Sequence, residues 1–187
     1  MVATRKGGID GLSLTQLAEL YGGRQTRWAD GQPVRLVLRP ANDGDTALLA
    51  SFSPAVKAGL DTAMARDGMV VALTDQDSAD AIERLPGALG TSSLALLSAE
   101  HRRARALAID GVMPTVATVV NGRYPFVKTM LLVAKAPVPP AVSQFLAFVA
   151  SDAGRRILAE HGHAPALPDK APAASAPAAA AAAMAAR

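Results

Sequence analysis

Apolar positions along the chain switch between a spacing of three to four residues and a spacing of two, which predicts alternating helices and strands. Ser13-Leu-Thr-Gln16 has the form of a capping box, and Leu14, Leu17, Ala18 and Tyr21 continue as a helical stripe that stops at Gly22-Gly23. Val34 to Leu38 reads as a buried strand, followed at once by a turn and a helix from about Asp45. Ser53-Pro54 opens another helix, with proline at its favoured first position. Met69 to Leu73 is a short apolar strand, and Asp77 to Leu85 a short helix stopped by Pro86-Gly87. Gly87 to Thr91 predicts a strand of small residues, Leu94 to Ala99 a helix, and Ala106 to Ile109 a strand running into Asp110-Gly111. Phe126 to Ala134 is the most strand-like stretch, and Pro140 begins one long helix through Phe145, Leu146, Val149, Ile157 and Leu158. Strands alternating with helices in this way predict an α/β fold with a largely parallel sheet. There is no internal repeat.

The pattern breaks at Ala164. From there to Arg187 the chain is mostly alanine and proline, with prolines at 165, 168, 172 and 177 and no large apolar residue after Leu167 except Met184. Such a segment has little with which to offset its ordering entropy, so residues 166–187 are expected to be a disordered tail.

Composition narrows the chemistry. Lys+Arg 19 against Asp+Glu 16 leaves a small scattered excess, without the dense basic stripe of a nucleic-acid surface. The absence of cysteine excludes disulfides, thiolate catalysis and thiolate-held metals. No apolar run of about 18 residues predicts a membrane span, and the first residues lack the apolar region of a signal peptide. His161-Gly-His163 offers two imidazoles but no third ligand at a suggestive spacing, and His101 sits in the charged run Glu100-His-Arg-Arg-Ala-Arg105. Gly-x-Ser-x-Gly, Walker and Gly-x-Gly-x-x-Gly patterns are all missing. Nothing here predicts an enzyme, a cofactor or a metal.

One turn does suggest chemistry. After the strand ending at Leu38 the chain reads Arg39-Pro-Ala-Asn-Asp43-Gly44-Asp45-Thr46 and then turns helical. A strand, a polar turn and the first N–H groups of a helix form an anion-binding arrangement, to which Arg39 could add a bidentate contact. The competing reading is that Asp43 or Asp45 caps the helix and Arg39 pairs with one of them. Residue types alone leave both open.

In order along the chain, several segments resemble the phosphate-type solute-binding proteins of ABC transporters, which have the type 2 periplasmic-binding fold. They are Gly11-Leu-Ser-Leu-Thr-Gln-Leu-Ala-Glu-Leu-Tyr-Gly-Gly, Thr26-Arg-Trp28, Val34-Arg-Leu-Val-Leu-Arg39 and Pro86-Gly-Ala-Leu-Gly90. Ala108-Ile-Asp-Gly-Val-Met-Pro-Thr115, Asn121-Gly-Arg-Tyr-Pro125, the helix from Ala141 and Ser151-Asp-Ala-Gly154 complete the series. The resemblance implies two lobes that close over an oxyanion, and a partner permease that receives it. It also implies a periplasmic location, and ligand contacts from Arg39, Asp43, Gly44, Asp45 and Thr46.

The match is uneven in two respects. The family's turn has the form Arg-Ser-Asp-Gly-Ser-Gly-Thr. Arg39 and Gly44 are retained, while the family's aspartate falls on Ala41, its serine on Asp43 and its threonine on Asp45, with Thr46 just beyond. A carboxylate about 4 Å from a phosphate repels it by roughly 4 kcal/mol at an effective dielectric near 20. The resemblance also divides the chain unequally. Residues 1–10 are a lead-in, 11–110 correspond to a complete lobe two, and 111–165 to the returning segment of lobe one. The expected protein is therefore a truncated oxyanion-binding component of an ABC transporter. The alternative is a ligand-sensing or interaction module on the same fold, outside transport.

Overall fold

The computed structural model describes residues 2–4 and 9–164; the Ala/Pro tail expected at 166–187 lies outside them. In chain order come β1 (Val2–Thr4), β2 (Gly11–Leu12), α1 (Leu14–Tyr21), β3 (Arg35–Leu38), α2 (Gly44–Ala50), α3 (Pro54–Met64), β4 (Val70–Val71) and α4 (Asp75–Arg84). These are followed by β5 (Ala88–Thr91), α5 (Leu94–Ala99), β6 (Arg105–Ala106), β7 (Ala108–Ile109), α6 (Val116–Val120), α7 (Pro140–Ala150) and α8 (Asp152–Glu160). The main sheet has the order β4-β3-β5-β1-β6, and β2 pairs with β7 in a separate two-stranded ladder.

The pleat of β3 sorts the two faces. Leu36 and Leu38 join Leu89 of β5 in a core with Leu17, Tyr21, Val56 and Leu60 from α1 and α3. Val37 points the other way, into a smaller core with Ile82, Ala81 and Leu97 of α4 and α5. Gly90 permits that second contact, since a Cβ there would stand 2.9 Å from Ile82 Cδ1 and 3.1 Å from Val37 Cβ. Helices thus cover both faces of the parallel strands β3 and β5, the α/β arrangement expected from the alternation, while β4 is an exposed edge strand.

Several boundaries differ from the sequence reading. Val2–Thr4, within the predicted lead-in, is a strand antiparallel to both β5 and β6. The predicted strand at 106–109 is two short strands, one for each sheet. Helix α4 begins two residues early because Thr74 and Asp77 form a capping box. The long helix expected from Pro140 is interrupted: Ser151 is extended (φ −73°, ψ 166°) and its hydroxyl accepts from the Gly154 N–H at 3.2 Å, starting α8 afresh. Gly154 lies so close to the Phe148 and Val149 carbonyl oxygens that a Cβ there would overlap both.

The larger correction concerns Phe126 to Ala134, which is not a strand. A strand needs a hydrogen-bonding neighbour, and among the described residues none pairs with this segment. It leaves the main core after two anchors. Tyr124 is buried, and the Phe126 ring stacks on Phe52 with centroids 3.8 Å apart. Beyond them Met130, Leu131, Leu132 and Val133 are exposed, as are Phe145 and Phe148 of α7.

Candidate functional site

The turn between β3 and α2 lies at the carboxyl end of the parallel strands, where β3 and β5 run side by side. Arg39 follows the last residue of β3 and is 6% exposed. Its Nη1 donates to the Ala72 carbonyl at 3.0 Å. Its Nη2 donates to Asp43 Oδ2 at 2.7 Å and stands 3.0 Å from Asp75 Oδ1. Asp43 is the N-cap of α2, and its Oδ1 accepts from the Asp45 N–H at 2.8 Å. Of the two readings left open by residue types, the capping and ion-pairing one describes this geometry. A single carboxylate occupies both donors that an anion would seek, the guanidinium and the first turn of the helix.

Asp45 is buried in that first turn and pairs with Lys128. The Lys128 stem passes over the turn, with Cδ 4.0 Å from where a Gly44 Cβ would stand. Thr46 directs its hydroxyl backwards, donating to the Pro40 carbonyl at 2.8 Å. Arg39, Asp45 and Thr46 line a small cavity with Tyr21, Leu49 and Thr91. Thr91 Oγ1, Ser92 Oγ and Arg39 Nε are buried there or beside it, with no hydrogen-bond partner among the described residues.

Charge follows from these contacts. Burial alone would push the Asp43 carboxyl up, but the Asp45 N–H and the Arg39 guanidinium, helped by Lys128, hold it below the ordinary carboxylate range. Burial would lower the Lys128 ammonium, yet the bond and charge of Asp45, then Asp75 and Asp43, raise it. A carboxyl depressed in the native state contributes stability that is complete above about pH 4, its unfolded value, and is lost as pH falls through the native one. Asp43→Asn is therefore expected to flatten the acid side of the stability profile. Urea unfolding of both proteins at pH 7 and pH 3 checks this: their stability difference should shrink at the lower pH.

All five residues singled out in the sequence, Arg39, Asp43, Gly44, Asp45 and Thr46, come together in this turn. Sequence reasoning missed Asp75, Thr91, Ser92 and Lys128. Asp75 had a local signal, the Thr74-x-x-Asp77 box that starts α4. Lys128 had none, being 83 residues from its partner. The histidines stay apart from the turn's chemistry: His161 is the C-cap of α8, and His101 follows α5 with φ 49°. In the basic run after His101, Arg102 pairs with Asp80 and Glu100, Glu83 accepts from the Ala104 N–H at 3.1 Å, and Arg103 and Arg105 are exposed. No helix among the described residues is long and apolar enough to cross a membrane.

Comparison with known proteins gives the same direction. The chain is 26% identical over 167 residues to the phosphate-binding protein PstS of Bacillus subtilis (strain 168), covering 84% of this chain and 51% of that one. It therefore spans about half the length of that relative. Among solved structures it resembles a substrate-binding protein of Clostridium perfringens with bound phosphate, at TM-score 0.69 and 20% identity, covering 86% of this chain and 65% of the other. PstS of Borrelia burgdorferi follows at TM-score 0.60 and 17% identity, with coverages of 86% and 66%. These likenesses carry the type 2 periplasmic-binding fold. The PBP superfamily domain matches residues 1–153. With most of its length accounted for by that domain, and its order of elements by that fold, the chain belongs to the PBP superfamily.

Proposed function

We propose that this chain is the oxyanion-binding part of a phosphate-type solute-binding protein of an ABC transporter, with Arg39, Asp43, Gly44, Asp45 and Thr46 at the ligand end of its complete lobe. The observation that carries the reading is the buried Arg39 at the end of β3, facing the first turn of α2 beside β5. Family membership and the phosphate-binding relatives support it. The protein binds and delivers; it does not catalyse. Its partners are a small phosphate-like anion and a membrane permease, and its place is the periplasm.

The domain reading is part of the proposal. Residues 11–110 are taken as the complete lobe, with β1 added to their sheet and Tyr124 to their core. Residues 111–165 are the returning segment of the other, whose apolar face is left for further polypeptide to cover. A second reading, a ligand-sensing module on the same fold, draws on one observation: Asp43 holds the donors that a phosphate would use.

Titration calorimetry with inorganic phosphate tests the proposal. Arg39→Ala is expected to abolish binding, since it removes the guanidinium at the centre of the turn. Phosphate affinity that survives Arg39→Ala would overturn this assignment of the site. A protein that binds no phosphate, even with Asp43 and Asp45 replaced by serine and threonine, would favour the sensing module.

A further inference from the structure

Three carboxylates and two cations meet at the turn: Asp43, Asp45 and Asp75 against Arg39 and Lys128, a formal charge of −1. An oxyanion added to that cluster meets net repulsion unless a cation is released to it. Arg39 is the fixed guanidinium of the turn, not the cation that can be released. It is 6% exposed, two of its nitrogens already bond to Ala72 O and Asp43, and Asp75 holds it from a third side. Turning it to a ligand would break a buried network. Lys128 is different: its side chain is 36% exposed, and its segment is tied into no ladder. Its ammonium has three freely rotating donors on a four-carbon stem. That stem lies against the first turn of α2, with Cδ 4.0 Å from where a Gly44 Cβ would stand, so the ammonium is beside the turn. The buried Arg39 Nε has no partner among the described residues, and the cavity beside it, about 10 Å³, has room for a water and not for an oxyanion.

We propose that Lys128 is a specificity-determining residue that exchanges partners, leaving Asp45 to contact the incoming oxyanion. The inference rests on the oxyanion-binding reading above. Asp45 then acts as the competitor for Lys128, and the strength of that pair sets how tightly an anion is held. A lysine supplied from the returning segment also means that ligand capture links that segment to the complete lobe.

A double-mutant cycle on the full chain, read by titration with inorganic phosphate, separates exchange from a purely structural bridge. Asp45→Thr frees Lys128 and is expected to tighten phosphate binding tenfold or more. Lys128→Met in the otherwise native chain is expected to weaken it at least tenfold, and Lys128→Arg to stay within threefold. The deciding comparison is Asp45→Thr in the Lys128→Met background, where the gain should be at least threefold smaller, leaving only the relief of direct repulsion. If Lys128→Met does not fold, Lys128→Gln, which still donates to Asp45, replaces it with the same expected losses. A gain of equal size in both backgrounds, or a Lys128→Met protein within twofold of native affinity, overturns the exchange and leaves the oxyanion-binding reading standing. Absence of phosphate binding in native and Asp45→Thr proteins alike overturns both.

Discussion

Sedimentation of the isolated chain at rising micromolar concentration is expected to show self-association, with apolar dye bound at every loading. The reason lies beyond the Phe52–Phe126 stack. Met130 is 72% exposed, Leu131 74% and Val133 92%, and Phe145 and Phe148 of α7 lie open as well. Helix α7 buries none of its residues. Soluble monomers rarely present a contiguous apolar patch of more than a few hundred Å². Covering about 400 Å² would gain roughly 10 kcal/mol at ~25 cal/mol per Å², before the cost of association is subtracted. That is as large as a typical domain's whole stability. The same segment also presents backbone N–H and C=O groups that no neighbouring strand among the described residues satisfies. Polypeptide that supplies strands to this segment, in the same chain or another, should abolish the association. Leu131→Glu with Val133→Glu should weaken it without lowering the melting temperature, since neither side chain belongs to the core. A monomer at all concentrations that binds no dye would show that this surface needs no cover.

How much of this was legible in the sequence depends on how local the cause is. Helix α1 was readable because Ser13 and Gln16 cap it reciprocally and its stripe ends at a glycine pair. Strand β3 was readable because Leu36, Val37 and Leu38 are buried on both faces, which gives a continuous apolar run. The β3–α2 turn was placed correctly, yet residue types could not say whether Arg39 waits for a ligand or pairs with Asp43. That choice depends on side-chain directions set by Ala72, just after β4, and Asp75, the first residue of α4. Lys128 is the extreme case, a contact across 83 residues that no spacing rule reports. Phe126 to Ala134 failed for the opposite reason. Its composition has every feature of a strand, but strand formation is a property of pairs, and none of the described strands pairs with it.

Replacing the turn's two carboxylates by the hydroxyls that the family carries, Asp43→Ser with Asp45→Thr, is expected to tighten inorganic phosphate binding by about 10- to 100-fold. Asp43 acts twice in the native chain. Its Oδ2 holds Arg39 at 2.7 Å and its Oδ1 holds the Asp45 N–H at 2.8 Å. Serine keeps the cap of α2, so the helix start is retained while the guanidinium is released. Arg39 is not left as a bare buried charge, because Ala72 O and Asp75 remain at 3.0 Å. Each removed carboxylate relieves at most about 4 kcal/mol of repulsion at 4 Å and an effective dielectric near 20. Part of that relief is lost to solvent and salt, which is why the expected gain falls well short of the ceiling. The part of the gain owed to Asp43 should also shrink as ionic strength rises, since its side chain reaches solvent while that of Asp45 is buried. Calorimetry at low and high salt reads both effects. Equal phosphate affinity in the native and substituted proteins would mean that the aspartates do not oppose the ligand, and the charge argument for this turn would fail.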